Sequence, residues 1–230
     1  MTAGRDVLVR CEAVARTFGE GERAVVAVHG VDCAVLAGQQ IAVTGPSGSG
    51  KSTLLHLLAG LDRPTHGTLT WPTLGDREAL RPGPVGVVFQ GPSLLAPLDV
   101  TENVALPQLL AGAEEAEALA GARRALARLG LIELAGNLPE ELSGGQAQRV
   151  AVARVLAGAP RLILADEPTG QLDHATATSV VQALLEAADA LRAALLVTTH
   201  DPEVAGLLPT RWAMADGRLR QGREVSWCSA

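Results

Sequence analysis

Aromatic residues are scarce in this chain of 230 residues. It has no tyrosine, two phenylalanines and three tryptophans, although 47% of its residues are hydrophobic. A large core therefore has to be built from alanine, leucine and valine, and a chain of this length buries enough surface to fold without disulfides or metals. An aromatic residue at a motif position, such as Phe18, is correspondingly informative.

Cysteine is also rare, since only Cys11, Cys33 and Cys228 occur, and they are far apart in the sequence. Their odd number and the lack of a C-x-x-C pair argue against a disulfide framework and against a zinc site. The five histidines are scattered as well, so the sequence shows no metal-ligand cluster. Both patterns are typical of a protein from a reducing compartment.

Long apolar runs are missing too. No 18 consecutive apolar residues occur, and the N-terminal residues lack the apolar core of a signal peptide. We therefore expect a soluble, cytoplasmic chain. Basic residues are outnumbered, which gives a net charge of −6 and disfavours the broad basic surface that nucleic-acid binding requires. DNA and RNA are not expected partners.

Lysine occurs once, at Lys51, whereas arginine occurs 18 times. This lysine belongs to the segment Gly45-Pro-Ser-Gly-Ser-Gly-Lys-Ser52, which fits the phosphate-binding pattern G-x-x-x-x-G-K-[ST]. The compact charge of a lysine reaches between the β- and γ-phosphates of a nucleotide, where a guanidinium fork fits badly. Backbone N–H groups between Ser47 and Thr53 are expected to bind the α- and β-phosphates, and the Ser52 hydroxyl to bind Mg²⁺.

The apolar residues of the chain follow both the strand and the helix period. Strands are predicted at Val7–Val14, Ala24–Val28, Val31–Leu36, Ile41–Thr44, Val85–Phe89, Leu162–Ala165, Ala194–Thr198 and about Trp212–Ala215. Helices are predicted at Ser52–Gly60, from a Thr101 cap to about Leu109, at Glu114–Leu129, about Gly145–Leu156 and about Ala175–Leu191. The order of these elements predicts an α/β core interrupted by a helical insertion.

Two acidic residues, Asp166 and Glu167, follow the apolar run Leu162–Ala165. In a P-loop ATPase, acids at such a strand end hold the metal ion and position the attacking water. Asp166 would orient Mg²⁺ through coordinated water, and Glu167 would polarise the attacking water as a general base. Two acids after a strand are more often a solvated loop, but the phosphate loop upstream favours the catalytic interpretation.

The segment Leu142-Ser-Gly-Gly-Gln146 resembles a second anion site, with Ser143 as a helix cap and bare glycine amides at a helix N-terminus. One phosphate loop has little use for a second anion site in the same chain. With these motifs in this order, the sequence resembles, over nearly its whole length, the nucleotide-binding subunits of ATP-binding-cassette (ABC) transporters. In that family the signature completes the active site of a facing copy.

This resemblance implies a fold. It is an α/β P-loop NTPase core with an N-terminal antiparallel β subdomain and an inserted α-helical subdomain. The whole chain, residues 1–230, would be one ABC ATPase domain, in which residues 1–90 and 160–230 form the nucleotide-binding core with the β subdomain. Residues 91–159 would form the helical signature subdomain.

The resemblance also implies roles for single residues. Gln90 would touch Mg²⁺ or the attacking water, His200 would contact the γ-phosphate, Asp173 would lie in the loop that crosses the dimer interface, and Phe18 would stack on adenine. The expected catalytic residues are Lys51, Gln90, Glu167 and His200, and the expected metal ligands are Ser52, Gln90 and Asp166. The expected ATP-binding residues are Phe18, Gly45, Pro46, Ser47, Gly48, Ser49, Gly50, Lys51, Ser52 and Thr53. The residues expected to contact ATP on the facing copy are Ser143, Gly144, Gly145, Gln146 and Asp173.

Three longer phrases are similar to the lipoprotein-releasing and macrolide-efflux group of this family: Gly60–Gly67, Leu94–Val104 and Leu164–Gly170. The chain departs from that group at Phe18, where tyrosine is commoner, at Gly91-Pro92, at Gln171, where asparagine is usual, and in a short connection from Gly67 to Gln90.

The resemblance implies an ATPase that dimerises on ATP and drives a separate transmembrane permease. Such a chain is cytoplasmic and lies at the inner face of the membrane through that permease. The segment from Gln90 to Pro107 is expected to lie near the docking groove, where Leu94, Leu95 and Leu98 either contact the permease or pack the insertion. An ATP-driven regulatory clamp on a membrane partner, as in cell division, is the alternative. A DNA-clamp ATPase is disfavoured by the acidic charge and by the short span between Lys51 and Leu142.

Overall fold

The computed structural model of the chain describes residues 6–170 and 172–222, except for the side chain of Glu22. The departure at Gln171 and the residue Cys228 therefore lie outside the described residues. Nine strands are described: β1 (Val7–Phe18), β2 (Val25–Leu36), β3 (Gln40–Thr44), β4 (His66–Thr70), β5 (Val85–Val88), β6 (Leu162–Asp166), β7 (Ala194–Thr199), β8 (Thr210–Ala215) and β9 (Arg218–Gln221).

The strands form two sheets. Strands β2, β1 and β4 pair in that order as an antiparallel sheet. The larger sheet has the order β5-β6-β7-β3-β8-β9, and only β9 at its edge is antiparallel to its neighbour. All parallel strands therefore end at one edge of the larger sheet, and β3, β6 and β7 bring the predicted nucleotide-binding segments to that edge.

Six α-helices connect these strands: α1 (Lys51–Leu58), α2 (Val100–Leu110), α3 (Glu115–Arg128), α4 (Gly144–Ala157), α5 (His174–Leu191) and α6 (Pro202–Gly206). The predicted helical insertion is present, because α2, α3 and α4 all lie between β5 and β6. None of the helices within residues 6–170 and 172–222 combines the length and apolar character needed to cross a membrane.

The central sheet separates two hydrophobic clusters. Residues of β6 alternate between them: Leu162 and Leu164 pack with α1 and the antiparallel sheet, whereas Ile163 and Ala165 pack with α2 to α5. This alternation is the two-residue period of a strand, and every residue of β6 is buried because both faces are covered. The strand end that carries Asp166 is therefore rigidly placed.

Several sequence predictions of local structure were wrong. Gly30 does not separate two strands; with φ of +58° it lies within the continuous strand β2, where the pairing to β1 shifts register. Thr101 does not cap α2. Asp99 does, in a capping box with Glu102, while the buried Thr101 hydroxyl donates to the Ala135 carbonyl at 2.8 Å. Strand β4, strand β9 and helix α6 were not predicted.

Two of the cysteines are neighbours in the fold. Cys11 of β1 and Cys33 of β2 are distant in sequence, but they are cross-strand partners, and both are buried free thiols. Hydrogen bonding to Cys33, together with burial, raises the pKa of Cys11 far above the ordinary value of a thiol. Cys11 is therefore protonated and a poor nucleophile.

Candidate nucleotide site

The glycine pattern of the phosphate loop follows from backbone contacts. The loop joins β3 to α1, and its glycines Gly45 and Gly50 have φ of +155° and +97°. A Cβ on Gly45 would lie 2.0 Å from the Met214 carbonyl oxygen, and one on Gly50 would lie 2.2 Å from the Ala27 carbonyl oxygen. No side chain fits at either position. The loop can therefore present its amides and the N-terminus of α1 to an anion.

Lys51, the first residue of α1, has a buried side chain. Its Nζ donates to the Gly45 and Pro46 carbonyl oxygens, each at 3.0 Å, and lies 3.2 Å from Oε1 of Glu167. The ammonium group is thus held inside the loop, next to the acid at the end of β6. This is the position in which a lysine can bind nucleotide phosphates.

The metal-binding candidates Ser52 and Asp166 are in contact. Ser52 Oγ donates to Oδ1 of Asp166 at 2.9 Å, and Thr198 Oγ1 donates to the same oxygen at 2.7 Å. A hydroxyl and a carboxylate are the hard oxygen ligands that Mg²⁺ prefers, and this ion keeps several waters and phosphate oxygens in its shell. The residues present therefore fit a magnesium nucleotide. His56 lies near the same acid, with Nε2 at 3.9 Å from Oδ2.

Glu167 occupies a strained position between Lys51 and His200. Its φ of +41° is in the left-handed region, and its backbone N–H donates to Thr198, to the carbonyl oxygen at 3.1 Å and to Oγ1 at 2.9 Å. Its Oε1 faces Lys51, and its Oε2 lies 3.3 Å from Nδ1 of His200. The start of α1 and the ends of β6 and β7 thus bring together Lys51, Glu167 and His200, which are far apart in the sequence.

Gln90 follows β5 at the same edge of the sheet, and its side chain is exposed. A Cβ on Gly170 would lie 3.1 Å from Nε2 of Gln90 and 3.7 Å from Oε2 of Glu167, so the amide borders the acid. The backbone before Gln90 is fixed by α4, because Gln148 Nε2 donates to the Phe89 carbonyl oxygen at 2.9 Å. Among the residues that the structure describes, no hydrogen bond joins the Gln90 side chain to Ser52 or Asp166.

Phe18 lies at the end of β1, and 43% of it is exposed. The guanidinium carbon of Arg16 lies 4.4 Å from the centre of its ring, and Nε of Arg16 donates to Oδ2 of Asp62 at 2.7 Å. Cation–π contact on one face leaves the other face of the ring for a flat ligand. Sequence reasoning found Phe18 but not the arginine that supports it.

The second predicted anion site forms a separate pocket. Ser143 caps α4 in a capping box with Gln146: Oγ of Ser143 accepts from the Gln146 N–H at 3.3 Å, and Oε1 of Gln146 accepts from the Ser143 N–H at 2.8 Å. The pocket has a volume of about 590 Å³, and its described lining includes Ser143, Gly144, Gly145, Gln146, Arg149 and Asp173. Neither Lys51 nor Glu167 lines it. One chain therefore carries two half-sites that do not share a pocket.

Asp173 also caps the next helix. Its carboxylate accepts from the backbone N–H of Thr176 at 3.1 Å and from the Thr176 hydroxyl at 2.6 Å. These hydrogen bonds, the side-chain one most strongly, lower the pKa of Asp173. The carboxylate is therefore ionised and fixed in place at the rim of the signature pocket.

A glycine-rich loop around a buried lysine, with a hydroxyl–carboxylate pair beside it, defines a P-loop nucleoside triphosphatase. The model of the ABC transporter family matches residues 28–170. The chain therefore belongs to the ABC transporter family. Its fold, a P-loop NTPase core with an antiparallel β part and an inserted helical part, is confirmed by solved cassettes described below.

Individual relatives agree with this assignment. The ATP-binding protein LolD of the lipoprotein-releasing system of Shewanella sp. (strain MR-4) is 39% identical, covering 94% of this chain and 96% of that protein. The dimeric structure of MJ0796, a bacterial ABC transporter cassette, is similar with a TM-score of 0.85 and 34% identity, over 95% of this chain and 99% of that chain. The dimeric post-hydrolysis state of MJ0796, bound to ADP and Pi, gives 0.84 and 34%, with the same coverage.

These findings confirm the predicted class and activity. The chain is an ATP-binding and ATP-hydrolysing subunit of an ABC transporter and uses Mg²⁺ with its nucleotide. Its similarity to the lipoprotein-releasing group is confirmed as well.

Proposed function

We propose that the chain is the ATPase of a lipoprotein-releasing transporter and that two copies hold ATP between them, head to tail. The observation that carries the composite site is the separation of its two halves. The loop around Lys51 offers one anion site, whereas the pocket at Ser143 offers another that no catalytic residue of the same chain reaches. A facing copy joins the two halves into one reaction chamber.

In this arrangement the phosphates are bound from both sides. Backbone amides of Gly45 to Thr53 and the Lys51 ammonium hold the nucleotide of their own chain, and Ser143, Gly144, Gly145 and Gln146 of the facing copy complete the γ-phosphate site. Phe18 stacks on the adenine. Asp173, fixed by its bonds to Thr176, borders the facing half-site.

The chemistry is carried by the acid at the end of β6. Glu167 accepts a proton from the attacking water, while Gln90 orients that water and His200 contacts the γ-phosphate. Ser52 and Asp166, with Gln90 nearby, would hold the magnesium ion, which would supply charge neutralisation to the phosphates of the nucleotide. Because Oε1 of Glu167 is paired with Lys51, ATP binding must draw the ammonium toward the phosphates and free the carboxylate.

Coupling to a permease is proposed for a groove between the core and the helical insertion. The groove, called the α2–β5 groove below, has a volume of about 570 Å³; its described lining comes from residues 81–89, the C-terminal half of α2, the end of α4 and Leu61. Leu61, Phe89 and Leu110 are exposed and lie along it. Leu94, Leu95 and Leu98, which the sequence favoured for permease contact, do not line it.

Docking there would place the chain at the inner face of the membrane. The groove begins directly before Gln90, and Arg154 of α4 donates to the Pro92 and Ser93 carbonyl oxygens just after it. A permease in the groove therefore touches the same loop that borders Glu167. The names of the relatives favour lipoprotein release as the function of the transporter.

The experiment is reconstitution of this chain and a lipoprotein-releasing permease in vesicles that carry a labelled lipoprotein. We expect ATP-dependent release of the lipoprotein into solution, and no release when the chain carries Glu167→Gln. If ATP is hydrolysed by the complex while the lipoprotein stays in the vesicle membrane, the proposal of lipoprotein release is wrong, although the ATPase assignment stands.

A further inference from the structure

The α2–β5 groove combines an apolar surface with charge of one sign. Two of its described lining residues, Arg81 and Arg154, are basic, and none of them is acidic. An occupant that brings its own positive charge would be repelled, and an entirely apolar one would cover the Arg81 guanidinium group without giving it a partner. The lining thus favours an occupant with apolar side chains and a negative charge.

The two arginines differ in how they are bonded. Arg154 is fully engaged, since it donates to the Pro92 carbonyl oxygen at 3.0 Å and to the Ser93 carbonyl oxygen at 2.8 Å. Burial lowers its pKa. Its role in the groove is therefore to position the loop after Gln90, and it has little capacity left for a ligand.

Arg81 is not engaged. Its side chain makes no hydrogen bond and no ion pair with any residue in the described part of the chain, and its Nη1 is buried without a partner. Burial, and the charge of the neighbouring Arg77, lower its pKa. An acceptor that reaches this guanidinium group does not have to break a hydrogen bond within the described part of the chain.

We propose that Arg81 anchors a carboxylate of the permease helix that fills the α2–β5 groove. The occupant is a short amphipathic helix with apolar side chains against Leu61, Phe89 and Leu110 and with one aspartate or glutamate paired to Arg81. The proposal rests on the proposed docking of a permease at this groove. The planar fork of a guanidinium binds a carboxylate in two parallel hydrogen bonds, and the apolar walls exclude the water that would weaken the pair. A permease with a neutral or basic residue at that point would be rejected.

The test measures binding of the purified chain to a lipoprotein-releasing permease embedded in nanodiscs. We expect Arg81→Glu to weaken the complex by about tenfold or more. The substitution places a second carboxylate against the carboxylate of the permease helix, in a groove from which water is excluded. Arg81→Lys keeps the charge and is expected to lose less. Arg123→Glu makes the same change of charge on the exposed face of α3, outside the groove lining, and is expected to leave binding unchanged.

Reversal of the charge identifies the partner residue. In the presence of the Arg81→Glu chain, each acidic residue of the cytoplasmic permease helices is replaced in turn by arginine, and one replacement is expected to restore binding. Melting temperatures show that each variant is folded. Should Arg81→Glu fail to fold, the neutral Arg81→Gln takes its place, with the same direction of effect.

The outcomes separate this inference from the docking that it assumes. If Leu110→Asp weakens binding but the Arg81 variants do not, the groove is the docking site and the carboxylate anchor is wrong. If neither changes binding, docking at this groove is itself wrong. Should Leu110→Asp instead abolish self-association of the isolated chain without ATP, the groove holds a second copy, and the permease helix is excluded.

Discussion

At the residue scale, the nucleotide site is held together by polar contacts between its own members. Glu167 contacts Lys51 through one carboxylate oxygen and His200 through the other. The acid is 19% exposed and the lysine side chain only 4%, so their attraction acts in a partly desolvated place. Glu167, the proposed general base, is therefore engaged until a nucleotide takes over the lysine.

Replacing the base tests this arrangement. Glu167→Gln keeps the shape of the side chain but cannot accept a proton, so we expect ATP hydrolysis to fall by about 10²–10⁴-fold. ATP should still bind, and the protein should accumulate as an ATP-dependent dimer, measured by phosphate release and by size-exclusion chromatography. Glu186→Gln on the exposed face of α5 is the matched control. A monomeric Glu167→Gln chain with full turnover would overturn the assigned role.

The aromatic position offers a second test. Arg16 lies over one face of the Phe18 ring and is itself held by Asp62. We expect Phe18→Ala to raise the KM for ATP severalfold with little change in kcat, because stacking on the base contributes to binding equally in the ground and transition states. Steady-state kinetics measure both constants; a loss confined to kcat would contradict adenine stacking at this residue.

The sequence predicted residues whose role follows from a local motif. Lys51 and Ser52 belong to the phosphate loop, and Asp166 with Glu167 ends a buried strand, so local patterns were sufficient. Thr198 was missed as a hydrogen-bond donor to Asp166, because their contact depends on the parallel pairing of β6 with β7, in which these two residues are opposite each other. The sequence of either segment alone does not determine this register.

At the scale of elements, the start of α2 is fixed by one buried amide. Asn103 is fully buried; its Oδ1 accepts from the Leu95 N–H at 2.7 Å, and its Nδ2 donates to the carbonyl oxygens of Leu95, Leu98 and Asp99 at 2.9–3.1 Å. The side chain thus satisfies the backbone of the loop that precedes its own helix. The sequence predicted a helix here but chose Thr101 as its cap, since both Thr101 and Asp99 are good capping residues.

Removing this amide should loosen the loop. Asn103→Ala removes four hydrogen bonds and opens a gap at a fully buried position, so we expect a loss of about 3 kcal/mol in the free energy of unfolding. Urea denaturation measures it. Asn137→Ala is the control, because the Asn137 side chain makes no hydrogen bond to the residues described; a loss equal to that of Asn103→Ala would argue against the network.

Helix α4 connects the two half-sites of the chain. Its N-terminus carries Ser143, and further along Gln148 and Arg154 bind the carbonyl oxygens of Phe89, Pro92 and Ser93, on both sides of Gln90. The signature and the Gln90 loop are therefore attached to one rigid element. The sequence predicted α4 and its cap, but these attachments join segments that are remote in sequence, so no local pattern contained them.

This link leads to a test of coupling. Gln148→Leu has nearly the same volume but leaves the Phe89 carbonyl oxygen without its donor, so we expect a loss of about 1–2 kcal/mol in stability. We also expect the permease to stimulate ATP hydrolysis less in this variant, because only Arg154, after Gln90, then still ties the loop to the helix that carries Ser143. The ratio of ATPase rates with and without permease measures it. An unchanged ratio would show that coupling does not use this bond.

At the scale of the whole molecule, the order of motifs was sufficient to predict the α/β core and the helical insertion. The boundaries at residues 91 and 159 stay a prediction. The antiparallel sheet was predicted only in part, because β4 is a short and largely exposed strand whose pattern is dominated by its pairing with β1. The sequence prediction of a docking groove near Gln90 to Pro107 stays a prediction; the α2–β5 groove includes Leu106 and Pro107, but most of its lining comes from segments that are separate in the sequence.

Mixing two inactive variants tests the composite chamber. Lys51→Ala destroys one half-site of the chain, and Ser143→Arg obstructs the other. In a mixed dimer both defects fall in one chamber and the second chamber is intact, so we expect mixing to restore ATP hydrolysis that neither variant shows alone. Lys51→Ala mixed with Glu167→Gln is the control, because every chamber then keeps one defect. No recovery in the first mixture would contradict shared sites.

The two separate half-sites also bear on inheritance. A cell that makes equal amounts of an intact and a defective form of this chain would assemble most of its transporters with at least one defective protomer. A substitution at the signature would then damage the partner's reaction rather than its own. Because one chamber of such a mixed transporter stays intact, mutant alleles of this gene should be only partly dominant over the wild type, in proportion to how much of the mutant protein is made.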